Sequence, residues 1–218
     1  MKIDDSLEET MVYVPEGYLE YVIPFEEEAV AYCPEAFKGK EHIVTLRLPE
    51  KEEIFSYRNL AKNAIDQRGL TTYYPHATAN VETRDEAIFA AINVIDGIRK
   101  NKGHGVWPYQ SWGTGERADC EIMVEFGRQV EVDKIAVCLR ADFPHDTYWN
   151  EITILFSDES QIKVPLIKTE VLQFIEFDNK RISWVKIIDL KMADRNSDFA
   201  ALRQIEVYGS DYLQQSDL

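Results

Sequence analysis

The stretch CEIMVEFG, residues 120–127, shows most directly which fold this chain adopts. Four residues of one side, Cys120, Ile122, Val124 and Phe126, alternate in it with three of the other side, Glu121, Met123 and Glu125. A period of two is typical of a strand with one face in the core. The stretch therefore predicts a half-buried β-strand.

Similar runs follow at short intervals, separated by turn-forming clusters such as SDES (157–160) and FDNK (177–180). They cover residues 132–140, 151–157, 161–166, 171–177, 181–190 and 202–209. Many short strands with turn signals between them predict an antiparallel β-sandwich. Before the first of these strands, residues 83–97 have helical character and end at Gly97.

The first 75 residues have a different pattern. An acidic leader over 1–16 precedes three short predicted strands at 19–25, 28–33 and 42–48. Apolar residues at three- and four-residue spacing predict a helix over 56–69, and Pro75 closes this section.

The composition indicates which binding partners and which cellular compartment we expect. The chain has 218 residues, 45% of them hydrophobic, and a formal net charge of -15, which argues against nucleic acid and anionic membranes as partners. Its three cysteines are odd in number and far apart, so we expect them to be reduced. The first residues are polar, which predicts a cytoplasmic protein, whereas a signal peptide cleaved from before this sequence would make it extracellular.

Several short motifs, taken in their order along the chain, resemble those of a known type of domain. ATANVET (77–83), AINVIDG (91–97), CEIMVEFG, VDKIAVCL (132–139), ITILFSDES (152–160), WVKI (184–187) and IEVYG (205–209) follow one another along the chain. In this order they resemble the discoidin-like (coagulation factor C-type) galactose-binding domain, including family-32 carbohydrate-binding modules. The resemblance implies an all-β antiparallel jelly-roll sandwich over 76–210. Residues 1–75 would then be an added extension of strands and a short helix packed on the sandwich, and 211–218 a tail.

The resemblance also implies a structural calcium ion. Asp96 and Glu206 resemble the two carboxylates that members of this fold place around it, and calcium binds several oxygens from carboxylates and backbone carbonyls. Asn93, Ile98 and Asn101 would complete the set, although the loop after Gly97 departs from the usual family pattern. The alternative is that Asp96 caps a turn and Glu206 faces solvent at a sheet edge.

Two unusual loops carry the predicted ligand site. HGVWPYQSWG (104–113) and RADFPHDTYWN (140–150) contain more aromatic and ionisable groups than a connection needs. His104 and Trp107 match a His-x-x-Trp loop of sugar-binding members, Arg140 matches their arginine, and His145 stands where their asparagine is expected. A pyranose offers an apolar face and several hydroxyls, so its site needs a ring and fixed polar groups.

The predicted ligand-binding set also includes neighbours of these residues. It consists of Glu82, His104, Trp107, Tyr109, Arg140, Asp142, His145 and Trp149, with a third loop bordering it through Arg195, Asn196 and Phe199. The alternative is a closed end, in which tryptophans plug the sandwich and Arg140 forms a salt bridge with Asp142 or Asp146. For Trp112 the plug is the favoured interpretation.

The leading functional hypothesis is a non-catalytic carbohydrate-binding protein that recognises a galactose- or hexosamine-type sugar. The first alternative is an intracellular protein-interaction module on a discoidin-like scaffold. The second is a metal-dependent hydrolase that uses His104, Asp142, His145 and Asp146. It ranks lowest, because the sequence contains neither a Gly-x-Ser-x-Gly nor a His-Glu-x-x-His motif.

Overall fold

The computed structural model describes residues 1–69, 71–115, 117–142, 147–193 and 199–212. The described strands are β1 (Lys2–Ile3), β2 (Val44–Thr45), β3 (Arg58–Asn59), β4 (His76–Ala79), β5 (Trp112–Gly113), β6 (Ile122–Arg140), β7 (Trp149–Phe156), β8 (Gln161–Pro165), β9 (Gln173–Met192) and β10 (Ala201–Asp211). The α-helices are α1 (Glu26–Ala29) and α2 (Lys51–Phe55), and 3₁₀ helices cover Thr83–Asp85, Ala87–Phe89 and Ala91–Val94.

The large sheet has the strand order β3-β10-β6-β9-β7-β8, with β4 added beside β6 and β5 beside β10. Its described strand pairs are all antiparallel. The first part of β6 pairs with β4 and its second part with β10, so this strand runs through both layers of the sandwich. The prediction of an all-β antiparallel jelly-roll sandwich is confirmed.

Two pairs of predicted strands are each a single bent strand. Residues 120–127 and 132–140 merge into β6, and residues 171–177 and 181–190 merge into β9. The register of β6 against β9 shifts between Glu125 and Val130, where Gly127 has a φ of +67°. A Cβ at Gly127 would lie 2.4 Å from the ring of Tyr74. A bulge at this position bends the strand instead of ending it, and only glycine fits there.

The sandwich core is built from the inward-facing side chains of these strands. Its largest buried members are the rings of Trp112, Phe126, Trp149 and Phe156. The indoles of Trp112 and Trp149 lie 6.1 Å apart, and the Trp112 Nε1–H donates to the carbonyl of Val81 at 2.8 Å. Trp112 therefore plugs the sandwich, as favoured from the sequence.

The first 75 residues fold differently from the prediction. Residues 19–25 form no strand, α1 lies where a strand was predicted over 28–33, and only Val44–Thr45 of 42–48 is a strand. In place of the helix over 56–69 there are β3 and turns, because Leu60 N donates to Val207 O and Asn59 Oδ1 accepts from Val207 N. Tertiary pairing with β10 overrides the helical spacing. The helical character of 83–97 is three 3₁₀ helices.

A second, smaller core joins these residues to the sandwich. Ile3, Ile65 and Tyr73 pack in it with Ala87 and Ile92 of the 3₁₀ segment. A buried polar contact lies at the same junction: Asp66 Oδ1 is 2.8 Å from His76 Nδ1, and Asp66 Oδ2 accepts from Ala77 N at 2.9 Å. No helix among the described residues is both long and apolar enough to cross a bilayer.

Candidate functional site

The aromatic loop, residues 98–111, leads from the 3₁₀ segment to β5, and two buried arginines hold its backbone. The Arg203 guanidinium donates to the carbonyls of Lys100 and Gln110, and Arg140 Nη1 donates to Tyr109 O at 2.5 Å. Hydrogen bonds from charged donors are stronger than neutral ones. The base of the loop is therefore fixed to β6 and β10.

The tip of the loop is open to solvent. Gly103 and Gly105 have φ values of +101° and +77°, which reverse the chain there, and His104 lies between them with an exposed side chain. The His104 imidazole meets the Tyr109 ring edge to face, with the ring centroids 6.3 Å apart. Tyr109 is partly exposed. The tip thus presents two rings in a defined arrangement.

Arg140 links a carboxylate to this loop. Asp142 accepts from Arg140 Nε at 2.9 Å, and the nearby Asn101 side chain helps to lower the pKa of Asp142. Partial burial disfavours ionisation of Asp142, but the hydrogen bond and the charge of Arg140 outweigh it, so the pKa of Asp142 lies below its usual value. The structure thereby brings together Asn101, His104, Tyr109 and Asp142, which we call the loop site.

Two residues predicted to contact a ligand, Arg140 and Trp149, have buried side chains. The Arg140 side chain is 0% exposed, so it positions Asp142 and Tyr109 and does not face a ligand itself. The Arg140–Asp142 salt bridge, one of the two pairs of the alternative interpretation, forms, whereas Asp146 of the other pair lies outside the described residues. Trp149 is 2% exposed and packs on Trp112 in the core, which leaves no free ring face for a sugar.

Trp107 and Glu82 lie on cavities shared with the N-terminal residues, apart from the loop site. The half-buried Trp107 lines a small cavity of about 170 Å³ together with Leu7 and Ala31. Glu82 accepts from Arg68 Nε at 3.0 Å and from Ala91 N at 2.7 Å. It borders a cavity of about 700 Å³ between residues 22–32, 67–69 and β4. Glu82 is thus engaged in packing the N-terminal residues against the sandwich.

Several predicted residues of the second and third loops lie outside the part of the chain that the structure describes. His145, Arg195 and Asn196 lie outside the described residues, as does Asp146 of the hydrolase hypothesis. Phe199 is described and is 52% exposed.

The residues expected to bind calcium make hydrogen bonds within the protein. Asp96 accepts from Gln110 Nε2 at 2.6 Å, from Gln204 Nε2 at 2.5 Å and from Ile98 N at 2.7 Å. Within the described part of the chain, no group of three or more His, Cys, Asp or Glu side chains is placed to hold a metal ion.

Three further members of the expected calcium set, Asn93, Asn101 and Glu206, also accept hydrogen bonds from protein groups, whereas Ile98 contributes its N–H to Asp96. Asn93 O accepts from Gln204 Nε2 at 3.0 Å, and Asn101 Oδ1 accepts from Gly103 N at 3.0 Å. Glu206 is only 1% exposed, so it does not face solvent either, and Arg99 binds its carboxylate. Because protein donors already use these oxygens, the set does not fit a calcium ion.

Comparisons with known proteins give structural neighbours. No protein-family model matches the chain, and no curated protein matches it. A fucose-binding module of Streptococcus pneumoniae is 14% identical with a TM-score of 0.51, over 71% of this chain and 96% of that chain. A histidine mutant of the lectin-binding domain of lectinolysin, complexed with Lewis b, is 16% identical with a TM-score of 0.51, over 72% of this chain and 99% of that chain.

A third neighbour is the family 32 carbohydrate-binding module of NanJ from C. perfringens, in complex with galactose. It is 19% identical with a TM-score of 0.47, over 61% of this chain and 91% of that chain. The fucose-binding module and the lectinolysin domain confirm, at the level of the fold, the discoidin-like sandwich that the order of sequence motifs indicated.

Proposed function

We propose that this protein is a non-catalytic carbohydrate-binding protein and that the loop site receives a galactose- or hexosamine-type sugar. One observation carries the proposal: His104 and Tyr109 stand edge to face at an exposed loop tip, and the buried Arg140 binds both the backbone of Tyr109 and the Asp142 carboxylate. The sugar-binding neighbours on the same fold support this assignment.

Each member of the loop site has a definite task in this proposal. The partly exposed Tyr109 ring packs against the apolar C–H face of the pyranose. His104 and Asn101 supply polar groups for hydroxyls, and the Asp142 carboxylate accepts from a pair of hydroxyls or from the ammonium group of a hexosamine. Because Arg140 binds both Asp142 and the backbone of Tyr109, the ring and the carboxylate are oriented before the ligand arrives.

The same geometry favours binding over catalysis. Hydrolysis of a glycosidic bond uses two carboxyl groups on either side of the bond. Among the described residues the loop site contains one, Asp142, and its salt bridge lowers its pKa and so makes it a weak general base.

Isothermal titration with galactose, N-acetylgalactosamine, glucosamine and fucose tests the proposal. We expect Tyr109→Ala and Asp142→Asn to weaken binding of the preferred sugar at least about tenfold, equivalent to about 1.4 kcal/mol. Tyr18→Ala is the matched control, because Tyr18 is an exposed tyrosine of the N-terminal residues. Wild-type affinity in the Tyr109→Ala variant, or no binding of any sugar by the wild type, would contradict the proposal.

A groove in the N-terminal residues favours a polypeptide partner as the second candidate function. This groove has a volume of about 740 Å³ and is lined by Met11, Val14 and Leu19 together with Leu46 and Leu48. Leu46 and Leu48 are 60% and 90% exposed, and apolar surface of this kind often marks a protein contact. A pull-down that captures one discrete partner with the wild type and loses it with Leu48→Glu would support this function.

A further inference from the structure

The side-chain amide of Gln204 lies at the centre of the oxygens expected to surround a cation. Its Nε2 atom is 2.5 Å from Asp96 Oδ1, 3.0 Å from Asn93 O and 2.8 Å from Arg203 O. Its Oε1 atom accepts from Gly97 N at 3.1 Å, which fixes which end of the amide points at the oxygens. A nitrogen donor therefore occupies the middle of this oxygen cluster.

The second carboxylate of the set has a cation of its own. The buried Glu206 accepts two hydrogen bonds from Arg99, from Nε at 2.6 Å and from Nη2 at 2.8 Å, and the Tyr208 hydroxyl also donates to it. The Arg99 side chain is 55% exposed while the Glu206 side chain is 1% exposed. The guanidinium thus covers the carboxylate from the solvent side and neutralises its charge.

We propose that the Gln204 amide and the Arg99 guanidinium together take the place of a structural metal ion in this sandwich. A calcium ion at this position would need the lone pairs that Gln204, Gln110 and Arg99 now occupy. It would also have to lie beside the positive charge of Arg99, which Coulomb repulsion opposes. The protein supplies its own donors, and the fold needs no metal at this position.

The protein donors that take the place of the metal ion also contact the aromatic loop. Gln110, whose amide donates to Asp96, has its backbone carbonyl held by Arg203, and Arg203 also holds Lys100. Protein donors therefore hold the residues at both ends of the loop. The position of the loop tip does not depend on a divalent cation.

The test is a melting temperature (Tm) measured in excess EGTA and in millimolar calcium chloride. For the wild type we expect the two values to differ by less than about 1 °C. Arg99→Ala removes the cation bound to Glu206 and leaves this poorly solvated carboxylate with only the Tyr208 hydroxyl as the described side-chain donor, so its Tm should fall by about 5 °C or more. Arg117→Ala, which breaks the exposed ion pair with Asp119, is the matched control and should change Tm by less than about 1 °C.

A further variant keeps the test decisive if Arg99→Ala does not fold. In Arg99→Ala/Glu206→Gln no bare carboxylate is left, so this double variant should recover part of the lost Tm. Calcium that raises the Tm of Arg99→Ala but not that of the wild type would support the proposal. A wild-type Tm that rises by several degrees with calcium, or an Arg99→Ala variant with the wild-type Tm, would overturn it.

Discussion

The sandwich and the N-terminal residues differ in what holds them together. In the sandwich, long strands carry continuous backbone ladders, and their alternating side chains fill one core around Trp112 and Trp149. The N-terminal residues have two-residue strands, and side chains such as Asn59, Asn63 and Gln67 satisfy their backbone groups. The sandwich is therefore specified by the repeating apolar pattern of its strands. The fold of the N-terminal residues depends instead on individual side-chain hydrogen bonds.

Trp112→Ala should have the largest effect on stability, because Trp112 lies in the centre of the sandwich core. The change opens a cavity against Trp149 and removes the hydrogen bond to Val81 O. We expect the free energy of unfolding to fall by about 3–5 kcal/mol, measured by urea denaturation. A loss well below 1 kcal/mol would mean that this indole is not a core residue.

Ile65→Ala should cost less, about 2–4 kcal/mol, and its effect should be confined to the smaller core. Ile65 is 0% exposed and packs with Tyr73 and Ala87 there. Hydrogen exchange compares the two regions residue by residue. We expect protection to fall in the N-terminal residues before it falls in β6 and β9. Equal loss in both regions would show that they unfold as one unit.

The Asp66–His76 contact should make the junction sensitive to pH. Burial alone would lower the pKa of His76, but its hydrogen bond to Asp66 and the Asp66 charge outweigh burial and raise it. Protonated His76 therefore contributes stability below its ordinary pKa of about 6.5, and this contribution is lost as the pH rises through the raised value. Tm measured from about pH 6 to about pH 9 should fall more in the wild type than in His76→Gln. Identical slopes would show that this pair is not ionised.

The smallest stability change is expected at the tip of the aromatic loop. His104→Ala removes an exposed side chain, so the free energy of unfolding should stay within about 0.5 kcal/mol of the wild type. Urea denaturation of this variant beside Trp112→Ala compares the loop tip directly with the core. A loss above about 2 kcal/mol would place His104 among the structural residues.

The sandwich could be predicted from the sequence because its physical signal is local. Alternation over residues such as 120–127 identifies a strand whichever strand lies beside it, and the bulge at Gly127 only joins two predicted strands into one. The N-terminal helix was mispredicted for the opposite reason. Leu60 and Asn59 pair with Val207, almost 150 residues away, and spacing within 56–69 carries no information about that pairing.

The loop site was predictable in its residue types but not in its roles. Exposed His104 and Tyr109 follow from a glycine-rich aromatic loop, whereas the burial of Arg140 and Trp149 depends on which strands cover them. Gln204 was missed for a similar reason. The polar residues Arg203, Gln204 and Glu206 of β10 would ordinarily be expected in water, yet 201–207 are all buried because both faces of the strand are covered.

A sugar titration followed by ¹H–¹⁵N NMR tests the binding surface most directly. We predict that the amide shifts of the wild type concentrate at Asn101, His104, Tyr109 and Asp142, and that Tyr109→Ala needs at least about tenfold more sugar to reach the same shifts. Shifts confined to the cavity around Arg68 and Glu82, or an unchanged spectrum at saturating sugar, would contradict it.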